Sequence, residues 1–298
     1  MNNGKYNGKP GARYGKPDTK PGRPLPGKKP AAKTATKTIS RQTASSETGR
    51  KYTGGLQIEG RNAILEALRS GAGITALYLQ EGIGGAEIEE IRALSEKAGV
   101  TPQTVKSERL QSLAESKNPQ GAVAKFREYR FYDVEDMLED ARMRGEDPFI
   151  VVLSGIEDPH NFGAIVRTAC LLGAHGVVIR KDRAAGVTPA VAKSSAGALF
   201  RMKVAEVTNI AATLDKLKKA GLWAACADMD GKKPEECDLK GPVALVIGAE
   251  GDGVPRLVRE KCDLVVSVPM VRVGTVDSLN ASVAAGILMY EITRQRGI

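Results

Sequence analysis

The chain has 298 residues with 44 Lys or Arg against 35 Asp or Glu, a net charge of +9, and only 4% aromatic residues. No apolar run is long enough to span a bilayer and the first residues lack the apolar core of a secretory signal, so a soluble cytosolic (cytoplasmic) protein with no membrane partner is expected. The four cysteines, Cys170, Cys226, Cys237 and Cys262, are irregularly spaced with only His160 and His175 to supplement them, which argues against a structural zinc site; reduced thiols and no metal are expected.

The charge is unevenly placed. Residues 1–53 carry 13 Lys or Arg and 2 acidic residues, leaving 31 basic and 33 acidic residues for the remainder. This first segment repeats Lys or Arg with Gly and Pro, as in Gly8-Lys9-Pro10, Gly15-Lys16-Pro17 and Pro21-Gly22-Arg23-Pro24. With almost nothing apolar to bury, it is expected to be a disordered basic tail. Such an arm suits phosphate neutralisation and salt-sensitive, sequence-independent RNA affinity.

Residues 54–128 form the first expected domain, a small α/β unit. Ala63, Ile64, Ala67 and Leu68 fall at helical spacing, Ala76 to Leu79 reads as a strand, Ile88, Ile91, Leu94 and Ala98 define a second amphipathic helix, and Gly121 to Phe126 a closing strand. Residues 129–147 are charged and predict a linker with a short exposed helix. Residues 148–298 then alternate. Strands are predicted at Phe149 to Leu153, Gly176 to Ile179, Leu222 to Ala227, Val243 to Ile247 and Leu264 to Val268. Helices are predicted around Ala164 to Leu172, Ala190 to Ser195, Ile210 to Ala220, Pro255 to Lys261 and Asn280 to Arg296. This pattern predicts a mainly parallel sheet with helices on both faces and a ligand beyond the carboxyl ends of the strands.

Three segments carry chemistry. The first, Asp158-Pro159-His160-Asn161-Phe162-Gly163-Ala164-Ile165-Val166-Arg167, follows a strand; Asn161 is read as a helix N-cap, and Arg167 offers a guanidinium fork suited to a phosphate or a polarised oxygen. The second, Gly248-Ala249-Glu250-Gly251-Asp252-Gly253, permits a tight backbone fold with a carboxylate inside it. Its spacing and late position differ from the dinucleotide fingerprint, which disfavours a nicotinamide dehydrogenase. The third runs from Val268-Pro269-Met270 through Ser278-Leu279-Asn280-Ala281, where Ser278 or Asn280 caps the last helix. His160, in a turn, is read as structural or RNA-contacting rather than as a general base, and His175 as a residue capping a helix end.

In this order the three segments resemble the motifs of the SPOUT methyltransferases, specifically the TrmH branch, which methylates ribose 2′-hydroxyls. Glu59-Gly60-Arg61-Asn62-Ala63-Ile64-Leu65-Glu66-Ala67-Leu68 and Asn118-Pro119-Gln120-Gly121-Ala122-Val123 are similar to the ribosomal-protein-like RNA-binding domain of its bacterial 23S ribosomal RNA (guanosine-2′-O-)-methyltransferase members. The resemblance implies a C-terminal trefoil knot, a rare exception to unknotted chains. It also implies a homodimer through the methyltransferase domain and S-adenosyl-L-methionine bound by Gly248, Glu250, Val268, Met270, Ser278 and Leu279. Arg167, Asn161, Glu250, Ser278 and Asn280 are the implied catalytic set, with Arg167 positioning phosphate and stabilising a developing alkoxide. Ribosomal RNA is the expected partner. A tRNA ribose methyltransferase and a catalytically silent RNA-binding or ribosome assembly protein are the alternatives. Between Met270 and Ser278 the loop is two residues longer than the family pattern, so either the cofactor loop is reshaped or Arg272 within it is an added RNA contact.

Overall fold

The computed structural model describes residues 56–126, 129–271 and 278–297. The expected basic tail and the 272–277 loop with Arg272 lie outside them.

The first described elements are β1 (Gln57–Glu59), α1 (Arg61–Arg69), β2 (Ile74–Gln80), α2 (Ala86–Lys97), β3 (Gln103–Val105), α3 (Ser107–Leu113) and β4 (Ala122–Phe126). The strands form a sheet in the order β1-β4-β2-β3, with β4 antiparallel to both β1 and β2 and β3 parallel to β2. The apolar spacing in α1 becomes one buried face of Ala63, Ile64, Ala67 and Leu68, joined by Leu65. Three further elements, β1, β3 and α3, are short and mostly polar and carry no periodic apolar signal.

α4 (Val134–Arg144) lies where an exposed linker helix was expected. It has an Asp133/Asp136 capping box and a left-handed Gly145 at its end, but it is not exposed throughout: Val134, Met137 and Ala141 are buried. Met137 packs where β6 presents Gly176, a position at which a Cβ would overlap the thioether. The correction follows from the i, i+3, i+7 spacing of those three residues, which makes one apolar face among charges.

The second sheet contains β5 (Phe149–Ser154), β6 (Gly176–Arg180), β7 (Val204–Val207), β8 (Trp223–Lys232), β9 (Val243–Gly248) and β10 (Leu264–Val266), all parallel, in the order β10-β8-β9-β5-β6-β7. Its helices are α5 (Pro159–Leu171), α6 (Pro189–Ser194), α7 (Ile210–Lys219), α8 (Arg256–Arg259) and α9 (Ala281–Gln295). Alternation along β5 separates the two faces. Phe149, Val151 and Leu153 pack in one cluster with α5, α6 and α9, whereas Ile150 and Val152 pack in the other with α4, α7 and α8. The fold is therefore α/β, with a parallel sheet covered on both faces.

The α5/α6 cluster continues without a break into the first sheet and α1, through Ile58, Ile64 and Leu77. Phe126 and Phe200 stack with ring centroids 5.1 Å apart, and Arg201 pairs with Glu66 across the same junction.

Candidate active site at the strand ends

From β5 the chain runs outward through β6 and β7 on one side, while β9, β8 and β10 fill the other. The reversal opens a crevice between β5 and β9, whose last residues, Ser154 and Gly248, are paired. A cavity of about 580 Å³ lies beyond the carboxyl ends of β9 and β10, beside the middle of β8 and against the start of α9.

The glycine segment forms one wall. Ala249 and Gly253 exchange backbone hydrogen bonds of 3.1 and 3.0 Å, closing a loop in which Gly251 and Gly253 have φ of 87° and 64°. A Cβ on Gly248 would overlap the Gly253 carbonyl group, so a larger residue could not start this turn without moving it. Val268, Met270, Ser278 and Leu279 supply the opposite wall, and Ile247, Val266 and Leu288 an apolar floor. Gly248, Glu250, Val268, Met270, Ser278 and Leu279 thus line one cavity.

At its rim, the side-chain amide of Asn280 donates to Asn161 Oδ1 at 3.0 Å and to Glu250 Oε1, and the Ala281 amide donates to the same carboxylate oxygen at 3.1 Å. Asn280 Oδ1 meanwhile accepts from the Ser282 and Val283 amides at 3.0 and 3.3 Å, so Asn280, rather than Ser278, caps α9. One side chain therefore starts a helix and ties two motifs together.

Asn161 does not cap α5. Asp158 does, accepting from the His160 and Asn161 amides at 3.0 and 3.2 Å, with Pro159 in the first turn. Asn161 is instead buried inside the first turn, its side chain turned to Asn280. Gly163 lets α6 approach, since a Cβ there would overlap Ser194. Arg167 is exposed on α5, does not line this cavity, and has no hydrogen bond or ion pair among the described residues.

Asp228 and Met229, midway along β8, also line the cavity. Sequence reading missed them because it ended the strand at Ala227, where apolar residues give way to Asp228-Met229-Asp230. Pairing extends the strand regardless: the Ser267 amide donates to Lys232 at 2.8 Å, and its hydroxyl to Met229 at 3.0 Å. Asp228 accepts from Arg259 at 3.0 Å.

His175 has no capping role. It is buried, Nδ1 accepts from the Phe149 amide at 3.1 Å, and Nε2 lies 3.0 Å from Glu146, so it anchors the start of β5. Burial pushes its pKa below the usual histidine value, outweighing the opposing pull of Glu146. Among the described residues no group of three His, Cys, Asp or Glu is placed to hold a metal, and no helix is long and apolar enough to cross a membrane.

The cavity volume lies within the range of about 300–1,000 Å³ typical of small-molecule sites. Its apolar floor, glycine loop and three carboxylates, Asp228, Glu250 and Asp252, suit a ligand with a flat ring and a polar tail.

Comparison with known proteins converges on one family. Residues 148–290 match the model of the SpoU rRNA Methylase family, and residues 57–132 match that of RNA 2′-O ribose methyltransferase substrate binding. The TrmH family protein YacO of Bacillus subtilis is 42% identical over 238 residues, covering 80% of this chain and 94% of YacO. A TrmH family protein of Staphylococcus haemolyticus is 41% identical over 240 residues, covering 80% and 95%. Among solved structures, the SpoU methyltransferase AviRb from Streptomyces viridochromogenes in complex with the cofactor AdoMet superposes with a TM-score of 0.69 at 28% identity, covering 82% of this chain and 91% of AviRb. An RNA 2′-O ribose methyltransferase gives 0.65 at 28% identity, covering 82% and 90%. The chain belongs to the SpoU/TrmH family of RNA methyltransferases.

Proposed function

We propose that this enzyme transfers a methyl group from S-adenosyl-L-methionine to the ribose 2′-hydroxyl of a guanosine in 23S ribosomal RNA. The observation that carries the reading is the Asn161–Asn280–Glu250 hydrogen-bonded cluster at the rim of the 580 Å³ cavity. It gathers the polar residues of all three motifs where a ligand in the cavity would meet solvent. The match of residues 57–132 to a substrate-binding model supports RNA as the partner and ribose as the target.

The cofactor would be held by Gly248, Glu250, Val268, Met270, Ser278 and Leu279, and when bound it supplies an electrophilic methyl group. Ile247, Val266 and Leu288 would keep water from the floor of the cavity when it is filled. Asn280 fixes the Glu250 carboxylate, and Asn161 fixes Asn280, so the site is organised before RNA arrives. Ser278 is exposed at the mouth and can hydrogen-bond the incoming ribose. Arg167 acts by its positive charge, positioning the RNA phosphate and stabilising the 2′-oxygen as it takes the methyl group and its proton passes to solvent. The 1–53 arm adds sequence-independent phosphate affinity.

A knotted C-terminal segment and a homodimer belong to the same reading. Val283, Ile287 and Tyr290 are exposed along one face of α9, and Leu171 is exposed at the end of the adjoining α5. A second copy covering this face would also approach Arg167, one turn from Leu171.

Incubation of unmodified ribosomal RNA and tRNA with labelled S-adenosyl-L-methionine tests the target. Label in 23S ribosomal RNA is expected; label confined to tRNA would overturn the ribosomal assignment, and label in neither would favour a silent RNA-binding protein.

A further inference from the structure

A second cavity, of about 490 Å³, opens between the first sheet and α6. It is bordered by Glu59, Glu115 and Ser116 on one side and by His160, Lys193 and Ser194 on the other. Its wall is built from a buried polar network. Glu59, only 3% exposed, accepts from the Ser116 hydroxyl, the Glu115 and Ser116 amides and the Gln57 side chain. Burial raises the Glu59 pKa, but these hydrogen bonds together outweigh it and hold the carboxyl below its usual range. Lys193 reaches across from α6 and donates to Ser116 Oγ at 2.8 Å and to the Asn118 carbonyl at 3.0 Å.

Two groups are left over. Glu59 is consumed in holding the 115–118 loop, whereas the neighbouring Glu115 is exposed and its carboxylate has no hydrogen bond or ion pair among the described residues. An ammonium has three protons, and Lys193 spends two on Ser116 and Asn118. The cavity therefore presents a carboxylate acceptor on the 115–118 loop and, facing it from α6, a cationic donor. His160, on its border, is the chain neighbour of Asn161 in the methyl-transfer cluster, so the two sites share the first turn of α5.

We infer that this cavity seats a guanine base of the bound RNA, with Glu115 accepting from its N1–H and N2–H groups and Lys193 donating to O6. The inference rests on the proposed RNA ribose methylation and adds the base-reading site and its residues. Guanine alone among the four bases offers two adjacent donors beside an acceptor. Adenine and cytosine set a ring acceptor next to their amino group, which would face the Glu115 carboxylate, and uracil has one N–H between two carbonyls. The volume accommodates a base, and the Glu59 network makes the recognising loop rigid before binding.

Fluorescence anisotropy with the full chain and labelled single-stranded RNA pentamers UUGUU, UUAUU, UUUUU and UUIUU, where inosine lacks the N2 amino group, tests the assignment. Wild-type protein is expected to bind UUGUU about tenfold tighter than the others. Glu115→Gln should abolish that preference while leaving affinity for UUUUU and for S-adenosyl-L-methionine unchanged. Absence of a guanine preference in the wild type, absence of binding, or a preference that Glu115→Gln retains would overturn it. A Glu115-dependent preference in a protein that methylates no RNA would uphold the base site and refute the ribose reading; methylation without the preference would do the reverse.

Discussion

Asn280 and Asn161 lie 119 positions apart in the chain and are joined by a 3.0 Å hydrogen bond between their side-chain amides. The same Asn280 amide reaches Glu250, while its oxygen starts α9. Substitutions at this position can separate the two roles. Asn280→Ala removes both and should cost about 1 kcal/mol of stability for the lost cap, together with methyl transfer. Asn280→Asp keeps the cap oxygen but places a carboxylate against Glu250, so thermal stability should recover more fully than activity. Equal recovery of the two, in parallel melting and transfer assays, would show that Asn280 is only a helix cap.

Arg167 is exposed and unpaired among the described residues, so its removal should leave stability within about 0.5 kcal/mol. Cofactor affinity should also hold, because Arg167 does not line the cavity. Turnover of Arg167→Ala is expected to fall about a hundredfold if the guanidinium stabilises the alkoxide. Arg167→Lys should not restore it fully, lacking the planar fork. Full turnover with Arg167→Ala would remove this residue from the mechanism.

The exposed row Val283, Ile287 and Tyr290 predicts self-association. If the protein pairs through this face, Ile287→Glu should leave it monomeric in light scattering and reduce methyl transfer. A wild-type monomer at assay concentration would contradict the proposed assembly.

His175 sets a pH dependence of stability. An unperturbed histidine titrates near 6.5, and burial holds this one lower in the folded chain. As pH falls below 6.5 the unfolded chain takes up a proton that the folded chain resists, so stability declines from about pH 6.5 down to the folded pKa and does not depend on this group above about pH 6.5. In denaturant unfolding across this range, His175→Gln should flatten the decline. An unchanged slope would place the acid sensitivity elsewhere.

Much of the second sheet was legible because β5, β6 and β9 are buried apolar runs bounded by polar loops. β7 escaped notice: its four residues, Val204–Val207, include Glu206 and read as strand only beside β6. The α5 start was misread at Asn161, although Pro159 after Asp158 is the stronger local signal. The wall contributed by Asp228 and the Lys193–Ser116 contact depend on tertiary pairing of distant segments, for which local periodicity carries no information. Motif residues could be recognised from their spacing, but that Asn280 joins Asn161 to Glu250 could only be seen in three dimensions.

Ribose methylation is read from the nucleoside identity of the product. Unmodified 23S ribosomal RNA treated with the enzyme and S-adenosyl-L-methionine should yield, after complete digestion and mass spectrometry, 2′-O-methylguanosine that is absent without enzyme. A methyl group found on a base, or no methylated nucleoside from any RNA tested, would contradict it.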